Sequence, residues 1–129
     1  MSTSQPPTPI EIALRKRSNV LSIRFDDGQL FDLEAEFLRV HAPSADVQGH
    51  NPSQAVLQTG KENVALSAVE PVGNYAVRLE FDDGHGSGVY TWAYLYKLGR
   101  DHTLLWQRYL DALKDAGYQR HPTRATPHD

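Results

Sequence analysis

The chain has 129 residues, a formal net charge of −3, 40% hydrophobic and 22% charged residues, and no cysteine. This composition is that of a single soluble globular domain, and its slight acidity gives no overall attraction to nucleic acid or to an anionic membrane surface. The lack of cysteine excludes disulfides, iron–sulfur ligation, thiolate zinc sites and cysteine nucleophiles.

The first nine residues are rich in proline, serine and threonine and predict a disordered tail before a single domain at residues 10–117. They show neither the basic start nor the apolar stretch of a signal peptide, and no apolar run is long enough to span a bilayer. We therefore expect a cytoplasmic protein with no membrane partner. Residues 118–129, with two prolines and two histidines, predict a second disordered tail.

Alternating apolar residues predict two strands, at residues 10–14 and 20–25. The polar turn between them contains three consecutive basic residues, Arg15, Lys16 and Arg17. This cluster could form a small phosphate-binding patch. A solvated hairpin tip is the simpler interpretation, because the rest of the chain is slightly acidic.

An Asp-Asp-Gly turn at residues 26–28 follows the second strand, since glycine accepts the positive φ that such turns need. Leu30 and Leu33 belong to the predicted return strand. Asp32 is a candidate cap for a short helix at residues 33–39.

Residues 77–84 repeat the pattern of residues 21–28, in which three apolar residues alternate with polar ones and lead into Asp-Asp-Gly. In this second copy Thr91 is predicted to cap a helix at residues 92–98, which Gly99 would end with a positive φ. The repeat predicts an α+β fold of two strand–turn–strand–helix units packed as an internal pseudo-repeat, plus a C-terminal helix. The residues expected on the buried faces of the two central strands are Leu21, Ile23, Phe25, Val77, Leu79 and Phe81.

The two copies are separated by a long loop at residues 40–54, and loops of this length in compact domains are often functional. Further strands are predicted at residues 56–57 and 64–69. A C-terminal helix at residues 101–116 would end at Gly117. Its apolar stripe is predicted to face the core and consists of Leu105, Tyr109 and Leu113, with Trp106 and Leu110 beside it.

No motif in the sequence predicts catalysis. The glycine-rich residues 84–88 lack the lysine and the spacing of phosphate-binding loops, and there is no nucleophile-elbow pattern around a serine. None of the six histidines has a partner at the close helical spacing of a metal site. His41, His50 and His85 could therefore meet only through the fold.

Five segments together resemble one family of small bacterial proteins, those similar to the N-terminal domain of γ-butyrobetaine hydroxylase. The segments are residues 21–28, 37–40, 43–50, 71–78 and 81–95, and the resemblance extends over about residues 9–100. In the hydroxylases this domain precedes a separate iron- and 2-oxoglutarate-dependent oxygenase domain. In other bacterial relatives it is joined to P-loop ATPases of the iron–sulfur carrier type.

The resemblance also implies a position for a structural zinc, which the hydroxylases bind through three cysteines and one histidine. The histidine matches His85, whereas the three thiolate positions match Ala42, Ser44 and Val47. We therefore expect no zinc of that kind, no cofactor and no oxygenase activity. If the fold is kept, residues 42–47 should still lie beside His85.

The resulting hypothesis is a non-catalytic accessory domain that binds an unknown protein partner or a second copy of itself. The residues of its candidate interaction surface are Ser44, Gln48, His50, His85 and Trp92. We expect the Trp92 ring to pack over the sheet. The alternative is a metal-binding or metal-delivery protein linked to iron–sulfur assembly through His41, His50 and His85.

Overall fold

A computed structural model of the chain describes residues 7–43, 59–83 and 86–120. Within them lie two three-stranded antiparallel sheets, with strand orders β1-β2-β3 and β4-β5-β6, and three helices. The elements in chain order are β1 (Pro9–Arg15), β2 (Val20–Phe25), β3 (Leu30–Glu34), α1 (Ala35–Val40), β4 (Leu66–Val72), β5 (Ala76–Phe81), β6 (Gly86–Thr91), α2 (Trp92–Arg100) and α3 (His102–Asp115). This architecture confirms the predicted α+β class with a C-terminal helix. The strand candidate at residues 56–57 lies outside the described residues.

The two sheets share a local irregularity. In each, the register of the first strand shifts opposite the end of the central strand, at Phe25 in the first sheet and at Phe81 in the second. Such a shift bends the strand and increases its twist. Both sheets therefore carry the same distortion immediately before their Asp-Asp-Gly turns.

The first aspartate of each Asp-Asp-Gly turn forms hydrogen bonds with the residue immediately before the first strand of its sheet. The backbone N–H of Asp26 donates to the Thr8 carbonyl at 2.9 Å, and the Thr8 N–H donates to Asp26 Oδ1 at 3.2 Å. Asp82 and Ala65 form the same pair of contacts, both at 2.9 Å. The aspartate thus has a second role beside turn formation, since its carboxylate satisfies a backbone donor at the sheet margin.

The buried faces of the central strands are the predicted ones. The six residues have exposed fractions of 4% or less: Leu21, Ile23, Phe25, Val77, Leu79 and Phe81. They belong to one core cluster that draws on both sheets. Tyr90 on β6 joins the second sheet to α1, since its buried hydroxyl donates to the Leu38 carbonyl at 2.6 Å. Burial disfavours its phenolate and raises the pKa of Tyr90 far above the ordinary value.

The prediction that Asp32 caps the first helix is wrong. The strand continues past this residue, and Asp32 pairs with Ser22, whose hydroxyl donates to Asp32 Oδ1 at 2.5 Å. Helix α1 begins at Ala35, and its N-cap Glu34 makes no side-chain capping bond. The ladder between β2 and β3 therefore outweighs the local capping signal of the aspartate.

The second helix confirms its predicted start and corrects its predicted end. The Thr91 hydroxyl accepts from the Tyr94 N–H at 3.1 Å and so caps α2. Helix α2 continues through Gly99 to Arg100. A Cβ at Gly99 would overlap the ring of Phe31 on β3. This glycine therefore permits close helix–strand packing and does not end the helix.

The third helix ends as predicted, because Gly117 follows it with φ 77°. Tyr109 and Leu113 are buried on its core-facing stripe. The chain beyond it, where the sequence predicts a tail, still contacts the domain. The Tyr118 hydroxyl donates to Glu62 Oε2 at 2.6 Å, and Arg120 pairs with a carboxylate of α1.

Candidate functional site

The structure describes only part of the predicted interaction surface. Trp92 of that surface is described, as are the metal candidate His41 and the buried Ala42 at the first thiolate position. The other predicted site residues lie outside the described residues: Ser44, Val47, Gln48, His50 and His85. The prediction that residues 42–47 lie beside His85 therefore stays a prediction.

His41 follows the last turn of α1 and is partly buried. Its Nδ1 lies 2.9 Å from the Phe37 carbonyl oxygen, and a proton on Nδ1 makes this contact a hydrogen bond. The Tyr94 hydroxyl donates to the His41 carbonyl at 2.6 Å and joins α2 to the end of α1. Burial lowers the pKa of His41, which favours a neutral imidazole.

Trp92 opens α2 and packs its partly buried ring against the core, in agreement with its predicted position. Its Nε1 donates to the Asn74 carbonyl at 2.8 Å, so the indole is tied to the β4–β5 turn. The contacts of His41 are made instead with α1 and Tyr94. Among the described contacts, the two residues thus belong to different clusters.

A charged cluster joins α1 to the second Asp-Asp-Gly turn. Asp83 Oδ2 accepts from Arg39 Nε at 2.9 Å and from Lys61 Nζ at 3.1 Å, and Arg39 is only 5% exposed. The chain after α1 also lies against β6. A Cβ at Gly88 would be 2.6 Å from the Pro43 carbonyl oxygen. Both contacts bring the end of α1 to the second hairpin.

A histidine and aromatic cluster packs α1 against α3. His102 Nε2 lies 2.7 Å from Glu34 Oε1, and the His102 ring is 4.4 Å from that of Phe37. Trp106 stacks in parallel with His102 at 6.3 Å. Since every side chain of this cluster has an intramolecular contact, we interpret it as packing between helices.

Two classes of site find no support in the part of the chain that the structure describes. There, no group of three or more histidine, aspartate or glutamate side chains is placed to hold a metal ion. In the same residues, no helix has the length and apolarity needed to cross a membrane.

An apolar groove of about 330 Å³ lies along the first strands of the two sheets. Its lining, which we call the edge groove, consists of Ile12, Leu14, Val69, Pro71 and Val77. The two β1 residues and Val69 are half-buried, Pro71 is exposed, and only Val77 is fully buried. The inner faces of the two sheets are therefore not fully closed over each other at this edge.

The sequence does not single out the edge groove as a site. Alternation places Ile12 and Leu14 on one face of a strand, which is also the pattern of an ordinary core strand. Their partial exposure depends on how far the second sheet extends over them. The residues of β1 do not determine that extent. An apolar residue two positions before a proline in an edge strand, as at Val69 and Pro71, is the nearest available signal.

The comparisons with known proteins agree with this fold. A family model described as gamma-butyrobetaine hydroxylase-like, N-terminal, matches residues 12–96. A protein structure solved in solution by NMR is 51% identical, with a TM-score of 0.78, and the match covers 94% of this chain and 95% of the other. A second NMR structure is 43% identical at the same TM-score, with 100% and 98% covered.

A crystal structure of a protein with unknown function from Acidithiobacillus ferrooxidans, of the DUF971 family, is also similar. It is 40% identical with a TM-score of 0.61, and the match covers 71% of this chain and 92% of that protein. A comparison with curated proteins found no match.

Proposed function

The chain belongs to the family of γ-butyrobetaine hydroxylase-like N-terminal domains, and from this premise we propose that it is a non-catalytic, cytoplasmic accessory domain that binds a protein partner. The edge groove is the observation that carries this proposal. Partly exposed aliphatic side chains side by side are typical of surfaces that another molecule covers. The family match comprises an N-terminal domain, and the oxygenase chemistry of the hydroxylases belongs to a different domain.

The energetics favour a partner at this groove. Full burial of an aliphatic side chain contributes about 1.5–3 kcal/mol to stability. Ile12, Leu14 and Val69 are only half-buried, so the folded domain obtains only part of this free energy from them. A partner that covers these side chains would add the remaining free energy of burial to its binding free energy. Neither nucleic acid nor a membrane suits the lining, which has no cationic side chain.

The proposal includes no zinc of the kind that the hydroxylases hold. Ala42, at the first thiolate position, has no donor atom and is fully buried in the core. The ion pair between Arg39 and Asp83 supplies a link between α1 and the second hairpin. We infer that packing and charge take the place of metal ligation in this chain.

The test is affinity capture followed by a binding measurement with the purified partner. In Leu14→Thr/Val69→Thr the groove loses apolar surface while β-branched side chains suit both strands. We expect wild-type protein and the exposed control Lys114→Thr to retain one partner, and the double variant to bind it at least about tenfold more weakly. Thermal melts establish that each variant is folded. Equal affinity of folded double variant and wild type would contradict the proposal.

One observation favours metal binding as a second candidate function. Metal-ligating histidines commonly donate their other ring N–H to a carbonyl, and His41 Nδ1 makes this contact with Phe37. Its neutral imidazole would place an Nε2 lone pair at the ligand position. His50 and His85 would have to supply further ligands. Metal analysis of tag-free protein, repeated with His41→Ala and His85→Ala, tests this candidate: it requires stoichiometric metal that both variants lose.

A further inference from the structure

A buried carboxylate lies between helices α1 and α3. Glu36 is in the first turn of α1, and its side chain is buried. Its Oε2 accepts from the Tyr109 hydroxyl at 2.7 Å and from Arg120 Nε at 2.8 Å, and its Oε1 accepts from Arg120 Nη2. Because a buried carboxylate without a cation is costly, this position requires a positively charged group.

Side chains of α3 adapt the same position to a planar cation. The centre of the Trp106 ring is 5.4 Å from Arg120 Cζ, which is within the range of a cation–π interaction. Burial and the hydrogen bond to Glu36 raise the pKa of Tyr109, so its hydroxyl keeps the proton that it donates. Two carboxylate oxygens beside an aromatic face favour guanidinium over ammonium, because only guanidinium presents a planar fork of donors.

The walls of this position and its occupant are held in different ways. Glu36, Trp106 and Tyr109 belong to helices. Arg120 belongs to residues 118–120, which form neither helix nor strand, and its described contacts are made by its side chain. That side chain is partly exposed, so the position opens to solvent. Departure of Arg120 would therefore leave two formed walls and a buried negative charge.

We propose that Glu36, Trp106 and Tyr109 form a binding site for an arginine side chain of a partner protein, and that Arg120 occupies this site until the partner displaces it. The occupant in the structure is itself the guanidinium of a polypeptide, which identifies the chemistry of the ligand. The site shares no residue with the edge groove, so this inference goes beyond the proposed function and does not depend on it.

The C-terminal residues set a threshold for this binding. A ligand group tethered by a short linker acts at an effective concentration in the millimolar range. A partner arginine must therefore compete with Arg120, and further contacts of the partner would have to favour the exchange. Removal of the Arg120 guanidinium should remove this competition.

The test is an NMR titration of the full-length ¹⁵N-labelled protein with two capped tripeptides, acetyl-Gly-Arg-Gly-amide and acetyl-Gly-Lys-Gly-amide. The indole N–H signal of Trp106 reports on the site, and that of Trp92 is the internal control. In Arg120→Ala we expect the arginine peptide to shift the Trp106 signal at a concentration at least about tenfold below that of the lysine peptide. The Trp92 signal should stay unchanged.

Wild type and a matched variant measure the competition by Arg120. Arg108→Ala removes an exposed arginine of α3 and leaves the site occupied. Both proteins should need about tenfold more arginine peptide than Arg120→Ala. Arg120→Lys keeps a cation next to Glu36 and provides a second folded background. In this variant the arginine peptide should again shift the Trp106 signal at a lower concentration than in wild type.

Three results would overturn the inference. Equal affinity of Arg120→Ala and Arg120→Lys for the two peptides would show that the site does not select guanidinium. A Trp106 shift that persists in Glu36→Gln/Arg120→Ala would show that the buried carboxylate does not bind the peptide. Sedimentation showing a wild-type dimer that Arg120→Ala dissociates would identify the occupant as Arg120 of a second copy of this chain.

Discussion

Gly99 is a position at which the packing of α2 on β3 leaves no room for a side chain. Gly99→Ala should destabilise the protein by about 1–2 kcal/mol, because overlap with the Phe31 ring outweighs the gain of about 1 kcal/mol in helix propensity. Urea unfolding measures the loss. With Phe31→Leu in the background, the same substitution should cost less. A stabilised Gly99→Ala protein would show that α2 and β3 are farther apart than described.

His41 should contribute to the pH dependence of stability. Burial lowers its pKa below the ordinary 6.5 in the folded state, so the unfolded chain binds a proton at higher pH. Its contribution is complete above about pH 6.5 and is lost as the pH falls through the folded-state pKa. His41→Leu should therefore show a smaller drop in melting temperature between about pH 7.5 and pH 5 than wild type. An equal drop in both proteins would contradict this assignment.

For single residues, the sequence shows which side chains are chemically able to cap or end a helix, but not whether the fold uses them in that way. Asp32 has the right chemistry for a cap, but its position opposite Ser22 in the sheet makes it a strand residue. Gly99 has the right type for a helix end, but its use depends on Phe31, which is distant in the chain. Both misassignments arise because a tertiary neighbour decides between two local options.

Helix α2 depends on a cap that helix α1 lacks. Thr91→Ala should reduce the free energy of unfolding by about 1 kcal/mol, because the Tyr94 N–H loses its acceptor. Thr91→Ser keeps a hydroxyl at this position and should change it by only a few tenths of a kcal/mol. Chemical denaturation of both variants beside wild type measures the difference. Equal losses of unfolding free energy in both variants would show that the methyl group of Thr91, and not its hydroxyl, is responsible.

The two halves of the chain share backbone hydrogen bonds that the sequence pattern alone does not require. The first helical N–H of α1, at Ala35, donates to the Asn19 carbonyl at 3.1 Å. The first N–H of α2, at Trp92, donates to the Tyr75 carbonyl at 3.0 Å. The alternation and the Asp-Asp-Gly turns predict the paired units. These backbone bonds and the shared register shift could not be predicted, since they depend on strand pairing and not on residue type.

Arg120, at the end of the last described segment, is attached to α1 through one buried carboxylate. Glu36 on α1 is 6% exposed, accepts from the Tyr109 hydroxyl at 2.7 Å and accepts from Nε and Nη2 of Arg120 through its two carboxylate oxygens. The Arg120 guanidinium also lies 5.4 Å from the centre of the Trp106 ring. Residues 118–120 are thereby attached across α3 to α1.

Arg120→Ala should destabilise the protein by about 2–3 kcal/mol, because Glu36 would remain buried without its cation. The value is below that of a fully buried pair, since the Arg120 side chain is 27% exposed. Adding Glu36→Gln should recover part of the loss. Thermal unfolding followed by tryptophan fluorescence measures both. An Arg120→Ala protein as stable as wild type would show that the C-terminal attachment is dispensable.

The fold of the whole molecule was more predictable than its candidate site. Alternation at Ile23 and Leu79 and the periodic stripe of α3 predict which faces are buried, because these patterns reflect local geometry. The edge groove arises between two sheets that are far apart in sequence. Its openness depends on their relative placement, which the Val69 and Pro71 pattern of the β4 sequence does not determine.

The two sheets are each assembled from a contiguous part of the chain, Pro9 to Glu34 and Leu66 to Thr91. Their strand pairings join near neighbours, which allows fast and separate formation. The core, however, is shared, so Leu21, Ile23 and Phe25 lack part of their packing until the second half of the chain is present. During synthesis, which proceeds from the N-terminus, the first sheet therefore passes through a stage with its apolar face exposed. Protection from aggregation matters most for this protein at that stage, before the second Asp-Asp-Gly hairpin has left the ribosome.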